Sequence, residues 1–234
     1  MKIASRFTLL IFFTLCLLPI AEAKTKRKPK RKPAACSQGT PYRNCPACGT
    51  ATDKRHRTLN VQKNRDTAVT NPQKITVQEI RDPANDQGVF TAEKRVRVTG
   101  FVASVDPGGL QETCNCKRTD LRDVHINVVA DPSEANDQSK YVVVEFTPRW
   151  EQTFGFDDSN YDAMRQAVED KIRNKWVKFE GWMMYDFIHK NQSQSTSPSN
   201  PVCPNDGLQH TGCNWRATPW EAHPVTAYTV VTGP

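Results

Sequence analysis

The sequence predicts an all-β protein with one helix, a five-stranded OB-type barrel behind a disordered basic N-terminal arm. Three observations lead there. Five stretches carry strand patterning in the order strand, strand, strand, helix, strand, strand. Two of the strands contain a glycine, Gly100 and Gly181, where a sheet must coil to close. Ahead of them, residues 24–35 interleave cations with Pro29 and Pro33 and cannot bury apolar area.

The elements follow in order. "KRVRVTGFVASV" (94–105) alternates Val96 and Val98 with Arg97 and Thr99, breaks at Gly100, and ends in the turn "DPGG". "DVHINVVA" (123–130) alternates Val124, Ile126 and Val128 against Asp123, His125 and Asn127. "KYVVVEFTP" (140–148) is rich in β-branched residues and completes a meander. In residues 157–175, Tyr161, Met164, Val168 and Ile172 recur at helical spacing, and Ser159 precedes Asp162 by three residues as a capping pair. "KWVKFEGWMMYDF" (175–187) and "WEAHPVTAYTVV" (220–231) are the last two strands. The residues 94–234 form one such core, and 36–93, poor in apolar residues, read as an irregular, cysteine-containing lead-in.

Residues 1–23 have Lys2 and Arg6 before an apolar run, then Ala21-Glu22-Ala23, the pattern of a cleaved signal peptide. The run from Phe7 to Ile20 is short of the roughly 20 residues that span a bilayer. No later stretch is apolar enough to cross one, so a secreted or periplasmic, monomeric protein is expected. The formal charge of +7 divides unevenly: the leader contributes +1, "KTKRKPKRKP" contributes +7, and residues 34–234 are left at −1. The arm therefore suits a polyanion, whether nucleic acid, acidic polysaccharide or anionic lipid head groups, or serves only as a solubilising leader.

Of eight cysteines, Cys16 leaves with the leader, and the seven that remain require at least one outside an intramolecular disulfide. Cys203 and Cys213 share one loop and are expected to be bridged. Cys45 and Cys48 with Cys114 and Cys116 have the spacing of two zinc clips, although Cys36 competes for them and export favours oxidation. A thioredoxin-like role lacks its βαβ surroundings.

Acids and imidazoles recur in pairs: Asp123 with His125, Glu221 with His223, and Asp186 with His189. Side chains two apart on a strand share a face, and in OB order the strand carrying Glu145 lies between the first two pairs. Asp123, His125, Glu145, Glu221 and His223 are the candidate ligands of a divalent metal, zinc or manganese, or an acid–base site at the barrel mouth. Inward Val124 and Ile126 send His125 outward, where local acid–histidine pairs closing the barrel are the alternative. Arg149, Trp182, Trp215 and Arg216 are candidate ligand-binding residues, arginines for phosphate and tryptophans for stacking, with core packing as the simpler role of the tryptophans. No nuclease motif surrounds Arg149 or Arg216.

"DVHI", "VVVEFTP", "GWMMYDFIHKNQ" and "WEAHPV", in that order over residues 94–231, resemble the strands of small secreted or periplasmic bacterial OB-fold-like proteins of uncharacterised function. The resemblance implies that Asp123, His125, Glu145, Asp186, His189, Glu221 and His223 act as one group and implies no reaction. The insertion Ser193–Asn214 falls outside it. The expected function is an exported binding module for a polyanion, and the alternative is a metal-assisted hydrolase using the Asp/His/Glu group at the barrel mouth.

Overall fold

The computed structural model describes residues 36, 39–82, 88–206 and 210–234. The leader and the basic arm lie outside the described residues. The lead-in is more regular than its composition suggests: it holds helix α1 (Lys54–Lys63), strand β1 (Gln73–Thr76) and the single-turn helix α2 (Val77–Arg81). Both helices are set by local signals. Asp53 accepts from the backbone N–H of His56 to start α1, and Thr76 forms a reciprocal capping box with Glu79 to start α2.

The barrel consists of β2 (Arg95–Pro107), β3 (Val124–Val129), β4 (Val142–Phe146), β5 (Trp176–Tyr185) and β6 (Trp220–Val231). Its strand order is β2-β3-β4-β6-β5, with β5 pairing back onto β2, which is the closed OB order. The β4–β6 pair is parallel, in register at Val143 with Glu221 and Val144 with Ala222, and the other barrel pairs are antiparallel. Strand β1 adds outside the barrel, parallel to the first half of β2.

Between β4 and β5 lie α3 (Pro148–Glu151) and α4 (Tyr161–Ile172). Helix α4 is the one the periodicity predicts, and it buries Met164, Val168 and Ile172. Its cap is Asn160 rather than Ser159, with the Asn160 side chain accepting from the N–H of Ala163. The third barrel strand starts at Val142, because Gln138–Lys140 turn as a 3₁₀ helix capped by Asp137.

Alternation decides what faces the core. Val96, Val98, Val124, Ile126, Val128, Val142, Val144, Phe146, Phe179 and Ala222 join one buried apolar cluster. Their neighbours His125, Glu145, Glu221 and His223 consequently point to the outer face of β3, β4 and β6. At Gly181 the β5–β6 register shifts, and a Cβ there would stand 2.8 Å from the carbonyl oxygen of Pro224. The His223–Pro224 peptide bond beside it is cis.

Candidate functional site

The outer face of β3, β4 and β6 is not open to solvent, although these are strands that normally carry an outward polar surface. Three segments cover it. Helix α1 arrives from the lead-in, the 108–123 connection folds back after β2, and residues 186–193 and 214–219 of the connection between β5 and β6 fold over it, with Lys63 on Asp186, Cys114 against Asp123 and Trp215 on His125. Asn64 donates to the carbonyl oxygens of Ala47 and Cys114, and Asn60 to that of Cys48, so α1 is held to the connection after β2 by side-chain amides. Gly49 is required at this junction: its φ is +56°, and a Cβ would lie 1.8 Å from the Thr113 carbonyl oxygen. The two flanking connections and the second and third strands are where OB barrels commonly meet oligonucleotides and oligosaccharides. Here they meet the chain's own lead-in.

Beneath the cover the paired acids and histidines come together. His223 is fully buried, with Nδ1 2.9 Å from Glu145 Oε2 and 3.2 Å from Glu221 Oε1. Its Nε2 lies 3.8 Å from Asp123 Oδ2. His125 approaches Glu145 Oε1 at 3.3 Å and Glu112 Oε1 at 3.7 Å through Nε2. Arg216 donates to Glu221 Oε2 at 2.7 Å and to the Thr218 carbonyl oxygen at 2.8 Å. Asp186 accepts from His189 Nδ1 at 2.9 Å and faces Lys63 Nζ at 3.2 Å. Thus Glu145 stands between the two pairs, as the strand order predicts, but the group occupies the outer face under a cover, not the barrel mouth.

The electrostatics follow from burial and from this mixture of signs. Burial alone would lower the histidines, but Glu145 offsets it for both. With the Glu145 and Glu221 contacts His223 rises to about 10, and with Glu112 His125 rises to about 9. Burial would raise Glu145, yet His125, His223 and Lys63 bring it down to about 2. Asp123 goes the other way: burial and the Glu112 charge, only partly opposed by His223, push it up to about 7. Burial also works against the ionised forms of Glu112 and Asp186, and Lys63 with a neighbouring histidine holds both well below the usual carboxylate range. Burial, Glu112 and Asp123 push the Cys114 thiol well up.

Asp123, Glu145 and His223 each offer a donor atom within 4.8 Å of the others, and so do Glu112, Cys114 and Asp123. Oxygen and imidazole nitrogen suit zinc or manganese, and a thiol narrows the choice. The sequence pattern does not single out Glu112 or Cys114 as partners of this group, Cys114 being read only as a thiol of the cysteine clip, and it does not single out Lys63 at all. The signal for the first two was "ETCNC", where Glu112 and Cys114 stand two apart just before Asp123, while Lys63 sits in a helix with no apolar stripe to mark it.

The candidate ligand-binding residues are buried or half-buried and engaged within the chain. Trp182 is 5% exposed, donates to the Thr67 carbonyl oxygen and is flanked by Arg65 and Arg95. Arg216 is fully buried on Glu221. Trp215 is half-buried, donates to Gln192 and stacks on His125 with ring centroids 6.2 Å apart. Arg149 is half-buried between Asn64 and the Tyr42 ring. These four side chains form no common exposed platform.

The zinc clip of Cys45, Cys48, Cys114 and Cys116 does not form, because oxidation takes three of its members. Cys45 is bonded to Cys116 and Cys36 to Cys48, and Cys114 stays a buried free thiol. Cys203 is bonded to Cys213, with Cα atoms 5.0 Å apart. Among the described residues no helix is long and apolar enough to cross a membrane.

No protein-family model matches the chain, and no curated protein does. Among solved structures the chain is similar to Entamoeba histolytica asparaginyl-tRNA synthetase in complex with asparaginyl-adenylate, at 10% identity and a TM-score of 0.28. The match covers 72% of this chain and 25% of the synthetase, so the chain spans about a quarter of that protein's length.

Proposed function

We propose that the chain is an exported OB-fold module that binds a polyanion, nucleic acid or acidic polysaccharide, through its basic arm. One observation carries the reading. The strand face that OB barrels commonly offer such ligands is filled by α1 and two connections, while seven cations are concentrated in residues 24–33 of an otherwise near-neutral chain. Export is supported by the leader pattern and by three cysteine pairs at bonding distance, which persist in oxidising compartments. Removing residues 24–33 from the mature chain tests the reading. Retention on heparin and on duplex DNA should fall sharply at low salt and little at high salt. Unchanged retention would transfer binding to the barrel and overturn the arm's role.

A second reading concerns the covered group, and the closeness of Asp123, Glu145 and His223 favours it: a divalent metal, zinc or manganese, held beneath the lead-in. Hydrolysis of a polymer there is the weaker form of this reading, because Asp123, Glu145 and His223 are all buried and a polymer has no path to them.

A further inference from the structure

We propose that the outer face of α1, together with the 3₁₀ helix Phe187–Gln192 that packs against it, binds single-stranded nucleic acid. The inference rests on the polyanion reading and deepens it: it adds a contact surface in the folded body, apart from the arm, and names the polymer. Helix α1, KRHRTLNVQK, carries four cations and no acid, although residues 34–234 as a whole sum to −1. Lys54, Arg55 and Arg57 stand in its first turn, where the helix dipole opposes positive charge, so their placement does not serve the stability of α1. Lys63 turns inward to Asp186, whereas Lys54 and Arg55 are exposed. Asp53, the acid beside them, is engaged by the backbone N–H and the ring of His56.

Arg55 is held ready for a planar ligand. Its guanidinium carbon lies 3.7 Å from the centroid of the Phe187 ring, and the His56 ring meets the same phenyl edge-on with centroids 5.1 Å apart. Phe187 is half-buried and Arg55 exposed, so the guanidinium is stacked on one face and open on the other. The open face suits an unstacked base and the N–H edges suit a phosphate, and the side chain is already ordered before either arrives. In a 3₁₀ helix side chains three apart eclipse, which puts exposed Lys190 on the same side as Phe187.

The stacked plane selects among polyanions. A duplex keeps its bases within its own stack, and an acidic polysaccharide has no π face, so both can use the charge of this surface but not the Arg55 plane. A single strand uses both, with bases on the guanidinium and phosphates on Lys54 and Lys190. Among the described residues Lys54, Arg55 and Lys190 are in no ion pair, so a phosphate displaces no acid from them.

The test measures binding of labelled oligothymidylate, a labelled DNA duplex and labelled heparin fragments to the mature chain by fluorescence anisotropy across a salt series. Arg55→Lys keeps the charge and removes the plane. Its affinity for oligothymidylate should fall about tenfold with an unchanged salt slope, while duplex and heparin binding stay as in wild type. Lys54→Gln with Lys190→Gln should make the slope of log affinity against log salt for oligothymidylate shallower by about 1.4, the share of two phosphate contacts. Both effects should persist after residues 24–33 are removed. The substituted side chains are exposed, and circular dichroism with a native melting temperature checks that each variant is folded. Unchanged oligothymidylate binding in both variants, with a large loss on removing 24–33, would overturn the α1 surface and leave the arm in place. An equal loss of heparin binding in Arg55→Lys would overturn the choice of nucleic acid. A wild-type chain with no affinity for any of the three probes would overturn this surface and the polyanion reading together.

Discussion

Lys63 and Asp186 form an ion pair of 3.2 Å that is nearly sealed from water, the two side chains being 6% and 0% exposed. It joins the last turn of α1 to the residue that follows β5 and so fixes the lead-in over the barrel.

Breaking that pair from one side should be costly. Lys63→Met leaves Asp186 buried without its cation, and urea denaturation should show a loss of about 3–5 kcal/mol. Lys63→Met with Asp186→Asn should recover much of the loss. A single-variant loss below about 1 kcal/mol would mean that the ion pair does not hold the lead-in in place.

Glu151 gives a pH dependence of known sign. Burial, with the charges of Asp123 and Asp158, raises its pKa to about 9, so the folded chain holds a proton there that the unfolded chain releases near 4.5. Its contribution is therefore favourable below pH 4.5 and is lost progressively as pH rises towards 9. Glu151→Gln mimics the protonated form. It should raise the melting temperature at pH 8 by several degrees and leave it nearly unchanged at pH 4. An equal effect at both pH values would show that Glu151 is ionised in the folded chain.

The disulfide pattern predicts a peptide map. A non-reduced digest should link Cys203 with Cys213, Cys45 with Cys116 and Cys36 with Cys48, and alkylation after denaturation should label Cys114 alone. Replacing Cys45 and Cys116 by alanine opens a link across 71 residues, at a cost of about 4 kcal/mol by loop-closure entropy. A digest that joins Cys114 to any other cysteine would contradict the arrangement.

Two glycines make a matched comparison. Gly49 and Gly155 both have positive φ, at +56° and +82°, but a Cβ meets the Thr113 carbonyl at the first and nothing within 4 Å at the second. Gly155→Ala should cost about 1 kcal/mol, the backbone term alone. Gly49→Ala should cost clearly more, with hydrogen exchange accelerating along α1. Equal costs would show that the α1 junction yields without loss.

The barrel was readable because its information is local and periodic. Val124, Ile126 and Val128 alternate, Gly181 marks the place where β5 and β6 slip register, and β6 runs over the residues its pattern predicts. The same alternation sends His125 outward. What it leaves out is that outward need not mean exposed. The cover is invisible to periodicity because α1, with buried Leu59, Asn60 and Lys63, packs largely through amide and ammonium groups whose partners lie in other parts of the chain. The disulfide partner of Cys45 was hidden for the same reason, since spacing cannot say which distant strand connection folds back, whereas Cys36, which takes Cys48, was visible as a competitor twelve residues away. Arg216 and Trp182 read as ligand contacts because nothing in the sequence announces that Glu221 and the Thr67 carbonyl will claim them.

The lead-in that closes the strand face is fastened at two points along its length, by the Cys45–Cys116 bond at one end and by the pairing of β1 with β2 at the other. If α1 detaches between those anchors it cannot diffuse away. It remains tethered above its own binding surface at an effective concentration of about millimolar order, set by the slack in the intervening chain. Any molecule competing for that surface must therefore outbid an intramolecular occupant that is present at all times and undiluted by the surrounding medium.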